Sequence, residues 1–193
     1  KYYPYCAGLL GDLFPHRLHP LLLATANPEF PKRVCAIGTK PVGTDRNTPG
    51  TPERDVPECL SLIAEFPSGY SLMVCSSTIN EQGLPDVIRG HDGTLNIGGN
   101  EVAFRPERHM SDEIDPETFR GLVPVEDVGV HESNWFECIR TGGIPNGNID
   151  LAIRTQAVIT LGEMADRLGI ACHFDEKTRS IKDGSGRELP PVS

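Results

Sequence analysis

Glu58-Cys59-Leu60-Ser61-Leu62-Ile63-Ala64-Glu65-Phe66-Pro67-Ser68-Gly69-Tyr70-Ser71-Leu72-Met73-Val74 decides the fold class. Its apolar residues recur at every second position, the period of a strand with one face on a core. Leu60, Leu62, Ala64 and Phe66 share a face, Pro67-Ser68-Gly69 supplies a turn, and Tyr70, Leu72 and Val74 return on a second strand. The stretch reads as a β-hairpin. Short runs at 87–89, 94–97 and 101–105 repeat the alternation, separated by His91-Asp92-Gly93 and Gly98-Gly99-Asn100. Connections that short join only antiparallel neighbours, which predicts an antiparallel meander in the middle of the chain.

Outward from the hairpin the period changes to that of helices. Residues 12–26 read as a helix with Pro15 in its first turn, and Pro20 is expected to kink it. A short strand follows at 33–39, then a loop at 40–57 of Gly, Pro, Thr, Asp and Asn that is expected to be mobile. Residues 110–127 read as a connector. A helix at 131–140 pairs Trp135 with Ile139, ends at Gly142-Gly143, and should bury Trp135 and Phe136 in the core. The strongest helix begins at Asp150 as N-cap, carries the stripe Ile153, Ala157, Leu161, Met164 and Leu168, and ends at Gly169. Residues 171–174 suit a last edge strand and 182–193 a frayed tail.

Strands run together with helices at both ends predict an α+β fold: an open, mainly antiparallel β-sheet with helices packed on one face, residues 1–193 forming a single domain. Ile63 and Met73 fall on the face opposite Leu60, Leu62 and Phe66. Apolar residues on both faces, with helices for only one, predict a homo-oligomer formed through the sheet face.

Eighteen basic against 27 acidic residues leave a net charge of −9. Nucleic acid is therefore not an expected partner, because non-specific binding to phosphates requires a local excess of Lys and Arg. No apolar run approaches the roughly 18–20 residues of a membrane span, so no membrane is expected either. The six cysteines, Cys6, Cys35, Cys59, Cys75, Cys138 and Cys172, are scattered without a C-x-x-C pair and read as reduced, buried thiols. A cytoplasmic location is expected. The chain opens at Lys1 without a methionine, which leaves room for a signal peptide or a whole domain ahead of it.

Neither a G-x-G-x-x-G turn opening a helix nor a P-loop occurs, and no G-x-S-x-G elbow is found. Asp12-Leu13-Phe14-Pro15-His16 remains. On one helix Asp12 and His16 are four apart, so the carboxylate can orient the imidazole and stabilise its charged form, as a histidine general base requires. The same spacing also suits an Asp12 cap beside an ordinary surface histidine. His19 adds a third ligand for a metal reading, but three ligands within two turns rarely converge and no metal site is assigned. His91 and His173 read as solvated histidines.

The segment from Lys1-Tyr2-Tyr3-Pro4-Tyr5-Cys6-Ala7-Gly8-Leu9-Leu10-Gly11-Asp12 to His16 resembles the start of the C-terminal domain of the Gfo/Idh/MocA oxidoreductases, glucose-fructose oxidoreductase, inositol dehydrogenase and relatives. The resemblance continues through Asp55-Val56-Pro57, Glu65-Phe66-Pro67-Ser68-Gly69, Gly90-His91-Asp92-Gly93-Thr94-Leu95, Trp135 to Gly142 and Leu161 to Gly169. It implies a preceding Rossmann domain, absent from this chain, that would bind NAD or NADP. It further implies a sugar, cyclitol or related polyol as substrate, His16 as the base taking its hydroxyl proton, and Asp12 orienting His16. Phe14 stands where the family often has glycine, and His19-Pro20 replaces an apolar-acidic pair. A non-catalytic interaction domain of the same fold stays open as an alternative, as does a metal-dependent hydrolase.

Overall fold

In the computed structural model, β1 (Arg33–Thr39), β2 (Cys59–Glu65) and β3 (Ser71–Ser77) are antiparallel neighbours, with β2 between the other two. The structure describes residues 2–6, 8–44, 49–98, 100–121, 127–190 and 192. Asp45–Thr48 of the predicted mobile loop, Gly99 of the predicted turn, 122–126 of the connector and 191 and 193 of the tail lie outside that set. The hairpin is formed as its period dictates: Leu60, Leu62, Ala64 and Phe66 are buried. Gly69 closes the turn with φ of 87°, a conformation that favours glycine because it has no Cβ to clash.

β1 also pairs with β8 (Cys172–Asp175), and β8 with β9 (Ser180–Lys182), giving a sheet of order β3-β2-β1-β8-β9. The strand predicted at 171–174 is therefore interior, and β9 is the edge. Beyond β9 the chain turns back at Asp183, and Leu189 N–H donates to Ile181 O at 2.8 Å. Against one face of this sheet lie α1 (Gly8–Asp12), α2 (Phe14–Ala24) and α4 (Ile149–Leu168). Leu18, Val34, Leu62, Leu161 and Met164 are fully enclosed between these layers. Each large apolar side chain buried there stabilises the fold by roughly 1.5–3 kcal/mol. The α+β class expected from the sequence, an open antiparallel sheet with helices on one face, is the one observed.

The elements divide into two compact units, residues 1–81 with 147–193, and residues 82–146. The second contains the four-stranded sheet β4 (Asp86–Arg89), β5 (Gly93–Ile97), β6 (Glu101–Pro106) and β7 (Glu117–Arg120), paired in chain order and antiparallel throughout. The predicted meander is thus split between two sheets, and the connector at 110–127 holds a strand. α3 (Val128–Thr141) starts before the predicted 131, because the Asp127 carboxylate accepts from Val130 N–H and caps it. It buries none of its residues: Trp135 and Phe136, expected in the core, are exposed.

Other expectations need correction. α2 runs unbroken through Pro20, since Phe14, Leu18 and Leu22 dock on the core on both sides of it and offset the roughly 3 kcal/mol a proline costs a helix. The N-cap of α4 is Asn148, whose side chain accepts from Leu151 N–H at 3.0 Å, with Asp150 in the first turn. Its buried face is Leu151, Thr155, Val158, Ile159, Leu161, Gly162, Met164 and Ala165, which leaves Leu168 exposed. All six cysteines are free, but only Cys172 is buried; Cys35 and Cys75 sit at odd positions of β1 and β3, on the face the helices do not cover. No helix of the described residues is long and apolar enough to cross a membrane.

Candidate active site

The chain reaches α1 along an anchored lead. Tyr3 N–H donates to Asp55 Oδ1 at 2.8 Å, Tyr2 Oη donates to Pro52 O at 2.8 Å, and the Arg167 guanidinium lies 4.5 Å over the Tyr3 ring. Burial, followed by the charge of Asp166, pushes the Tyr3 phenol above its ordinary pKa. Gly8 then opens α1 at φ of 65°.

Asp12 is the last residue of α1 and His16 the third of α2. A single continuous helix was expected, and the reason for the break is local: Pro15 has no N–H to offer Gly11. Leu13 between them keeps right-handed helical angles, φ −97° and ψ −32°, and its N–H donates to Leu9 O at 3.3 Å, so the chain follows a helical path through the junction. Asp12 is consequently not an N-cap. The buried residues Leu10, Phe14, Leu18 and Leu22 recur every fourth position. At about 100° per residue, Asp12, His16 and His19 all fall on the side opposite this stripe, and Asp12 and His16 are about 40° apart around the axis. Both are exposed.

His19 is half-buried, and its pKa is lowered by burial first and by the neighbouring His16 charge second. Asp12, His16 and His19 do not converge on a metal position; among the described residues, one group of three does, and it is His91, Asp92 and His109. His91 had read as a solvated histidine and His109 had not been singled out, because their meeting depends on the β5–β6 register. His173 lies in β8, opposite Arg33 and Lys182. It belongs to a shallow groove with Phe174, Asp175, Glu176, Lys177 and Lys182, apart from α1 and α2.

A dinucleotide pyrophosphate is held where a glycine turn leads from a parallel strand into a helix N-terminus. Every strand pair described here is antiparallel, so these residues do not fit that group.

No family model matches the chain, and no curated protein matches it. Solved structures do. Levoglucosan dehydrogenase, in complex with NADH and levoglucosan, is 15% identical with a TM-score of 0.62, covering 96% of this chain and 51% of its own. UDP-N-acetylglucosamine 3-dehydrogenase from Acidithiobacillus ferrooxidans is 14% identical with a TM-score of 0.65, covering 83% and 47%. Aldose-aldose oxidoreductase from Caulobacter crescentus is 22% identical with a TM-score of 0.57, covering 81% and 45%. The chain spans about half the length of these structures. Their type is that of the Gfo/Idh/MocA oxidoreductases, and the chain carries the α+β fold of that family's C-terminal domain.

Proposed function

We propose that the chain is the substrate-binding and oligomerising domain of an NAD(P)-dependent oxidoreductase acting on a sugar, cyclitol or related polyol. The observation that carries this reading is the placement of Asp12 and His16 one helical turn apart on the exposed side of α1 and α2, in a fold that solved sugar oxidoreductases share. His16 accepts the proton of the substrate hydroxyl at an imidazole nitrogen, and Asp12 orients the ring and favours its charged form. The hydride would go to a nicotinamide held by residues other than 1–193. The open face of the five-stranded sheet serves assembly.

The test is kinetic and uses the full-length protein. His16→Ala lowers turnover by about 10²–10⁴-fold with dinucleotide affinity kept, and Asp12→Asn acts in the same direction but less strongly. Full turnover in a folded His16→Ala protein removes the catalytic assignment. Micromolar NAD(H) or NADP(H) binding to residues 1–193 alone removes the assignment of the cofactor to another domain.

A further inference from the structure

Gly90 and Gly93 close the turn between β4 and β5, where Gly90 N–H donates to Gly93 O at 2.9 Å and holds His91 and Asp92 at the tip. β6 pairs with β5 so that Gly93 faces Pro106, and Glu107 N–H then donates to Asp92 O at 2.8 Å. A 3-10 turn, Arg108–Met110, begins immediately after, closed by Met110 N–H donating to Glu107 O at 2.9 Å. Two separate segments are thus locked together by backbone hydrogen bonds, and the result is that His109 comes up beside the β4–β5 tip.

One carboxylate oxygen is common to both imidazoles. His91 Nδ1 lies 2.6 Å from Asp92 Oδ1, and His109 Nε2 lies 3.6 Å from the same atom. The two rings are edge to face with centroids 4.8 Å apart. A neighbouring His–Asp hydrogen bond is ordinary turn chemistry. A second imidazole, brought from beyond β6 and aimed at the same oxygen, is not required by the turn, and it completes a two-histidine, one-carboxylate set.

We propose that His91, Asp92 and His109 form a surface site for a divalent transition cation, with Zn2+ as its natural probe. Imidazole nitrogen and carboxylate oxygen suit a borderline cation at about 2.0–2.2 Å, and a tetrahedral arrangement at that bond length puts ligand atoms about 3.3 Å apart. Here the three ligand atoms all lie within 4.8 Å of one another. Each gap is therefore within about 1.5 Å of the tetrahedral value, a change that rotation of exposed side chains supplies without moving the backbone. All three residues are exposed, so the remaining coordination positions are open to solvent. The site lies wholly within residues 82–146 and does not depend on the oxidoreductase reading.

Zn2+ is titrated into the chain by calorimetry, and Co2+ is bound in parallel for its absorption spectrum. The expected result is one Zn2+ per chain at micromolar concentration. His91→Ala, His109→Ala and Asp92→Asn should each weaken binding at least about tenfold, the loss that even an outer partner of a metal ligand produces. The Co2+ spectrum should show weak ligand-field bands without thiolate charge transfer, which separates this site from the exposed Cys35 and Cys75. Circular dichroism verifies that the variants are folded. No binding by the wild type, unchanged affinity in His109→Ala, or a thiolate band at one equivalent overturns the proposal.

Discussion

The carboxylate of Asp166, on α4, accepts a hydrogen bond from the backbone N–H of Gly38 in β1. The contact ties the last turns of the longest helix to the middle of the sheet. A Cβ at position 38 would overlap both the Pro57 ring and the Asp166 carboxylate, so glycine is required by close approach. Gly38→Ala should therefore lower stability by about 1–3 kcal/mol through overpacking, and Asp166→Ala by about 1–2 kcal/mol through the lost partner of a part-buried N–H. The double variant should cost less than the sum, because the two residues share one contact. Urea unfolding of the three variants measures this.

Glu58 is an enclosed anion. Its Oε2 accepts from Val42 N–H at 2.8 Å and Gly43 N–H at 3.2 Å, and its Oε1 accepts from Arg54 Nη1 at 3.1 Å. The Val42 N–H, above all, holds the carboxyl below its ordinary pKa. The described ends of the 40–57 loop are thus pinned to the start of β2. Glu58→Gln, which keeps shape and loses charge, should destabilise the protein by about 1–3 kcal/mol, and amide exchange at Val42 and Gly43 should accelerate. Exchange rates at those two positions that match the wild type would show that the carboxylate does not order the loop.

Asp175 is held down to about 2 by Lys182, whose Nζ lies 2.7 Å from Oδ2, and then by the backbone N–H of Thr178. A depressed carboxylate contributes stability above its unfolded pKa, near 3.9, and that contribution fades as pH falls toward about 2. In Lys182→Met the carboxyl resonance of Asp175 should titrate at a higher pH, nearer the ordinary value. NMR titration of both proteins reads the difference directly, and an unchanged midpoint would remove Lys182 as the cause.

The open face of the five-stranded sheet aligns Cys35, Ile63 and Met73 in register across β1, β2 and β3, with Ile37 one row on. Ile37 is 71% exposed, Ile63 52% and Met73 69%. Replacing Ile63 with threonine and Met73 with lysine should convert an assembly into monomers and cost the single chain no more than about 1 kcal/mol, since both side chains are more than half exposed and threonine suits a strand. Light scattering at tens of micromolar checks both forms. A wild type that is strictly monomeric there would show that the face is not an assembly surface.

Where the sequence was legible, a single period governed it. Leu60, Leu62, Ala64 and Phe66, then Tyr70, Leu72 and Val74, recur at every second position, so strand, turn and buried face all followed. α4 was found but its face was not: the helix is apolar on several sides, and what turns it is Gly162, which has room for Leu62 and Leu10 only because it lacks a Cβ. β7 was missed because Glu117, Thr118, Phe119 and Arg120 are all exposed and show no alternation. Asp12 and His16 were legible as a pair from spacing and resemblance, while the break at Leu13 was not, being set by the missing N–H of Pro15. His109 was illegible in principle, since its neighbours are chosen by strand register.

The first unit takes its strands β1 to β3 from before residue 82 and its covering helix α4 and strands β8 and β9 from after residue 146. A ribosome reading this message makes the sheet's apolar face, Val34, Leu60, Leu62 and Ala64, long before it makes Leu151 to Ala165, which enclose it. Contacts so distant in sequence form slowly, and exposed apolar strands are the species that aggregate. The segment of residues 82–146, which contains its own sheet, is made in the interval. A chain that ends before residue 149 therefore has α1 and α2 to cover this face but lacks Leu151 to Ala165, and the apolar area left over is what the last quarter of the sequence exists to close.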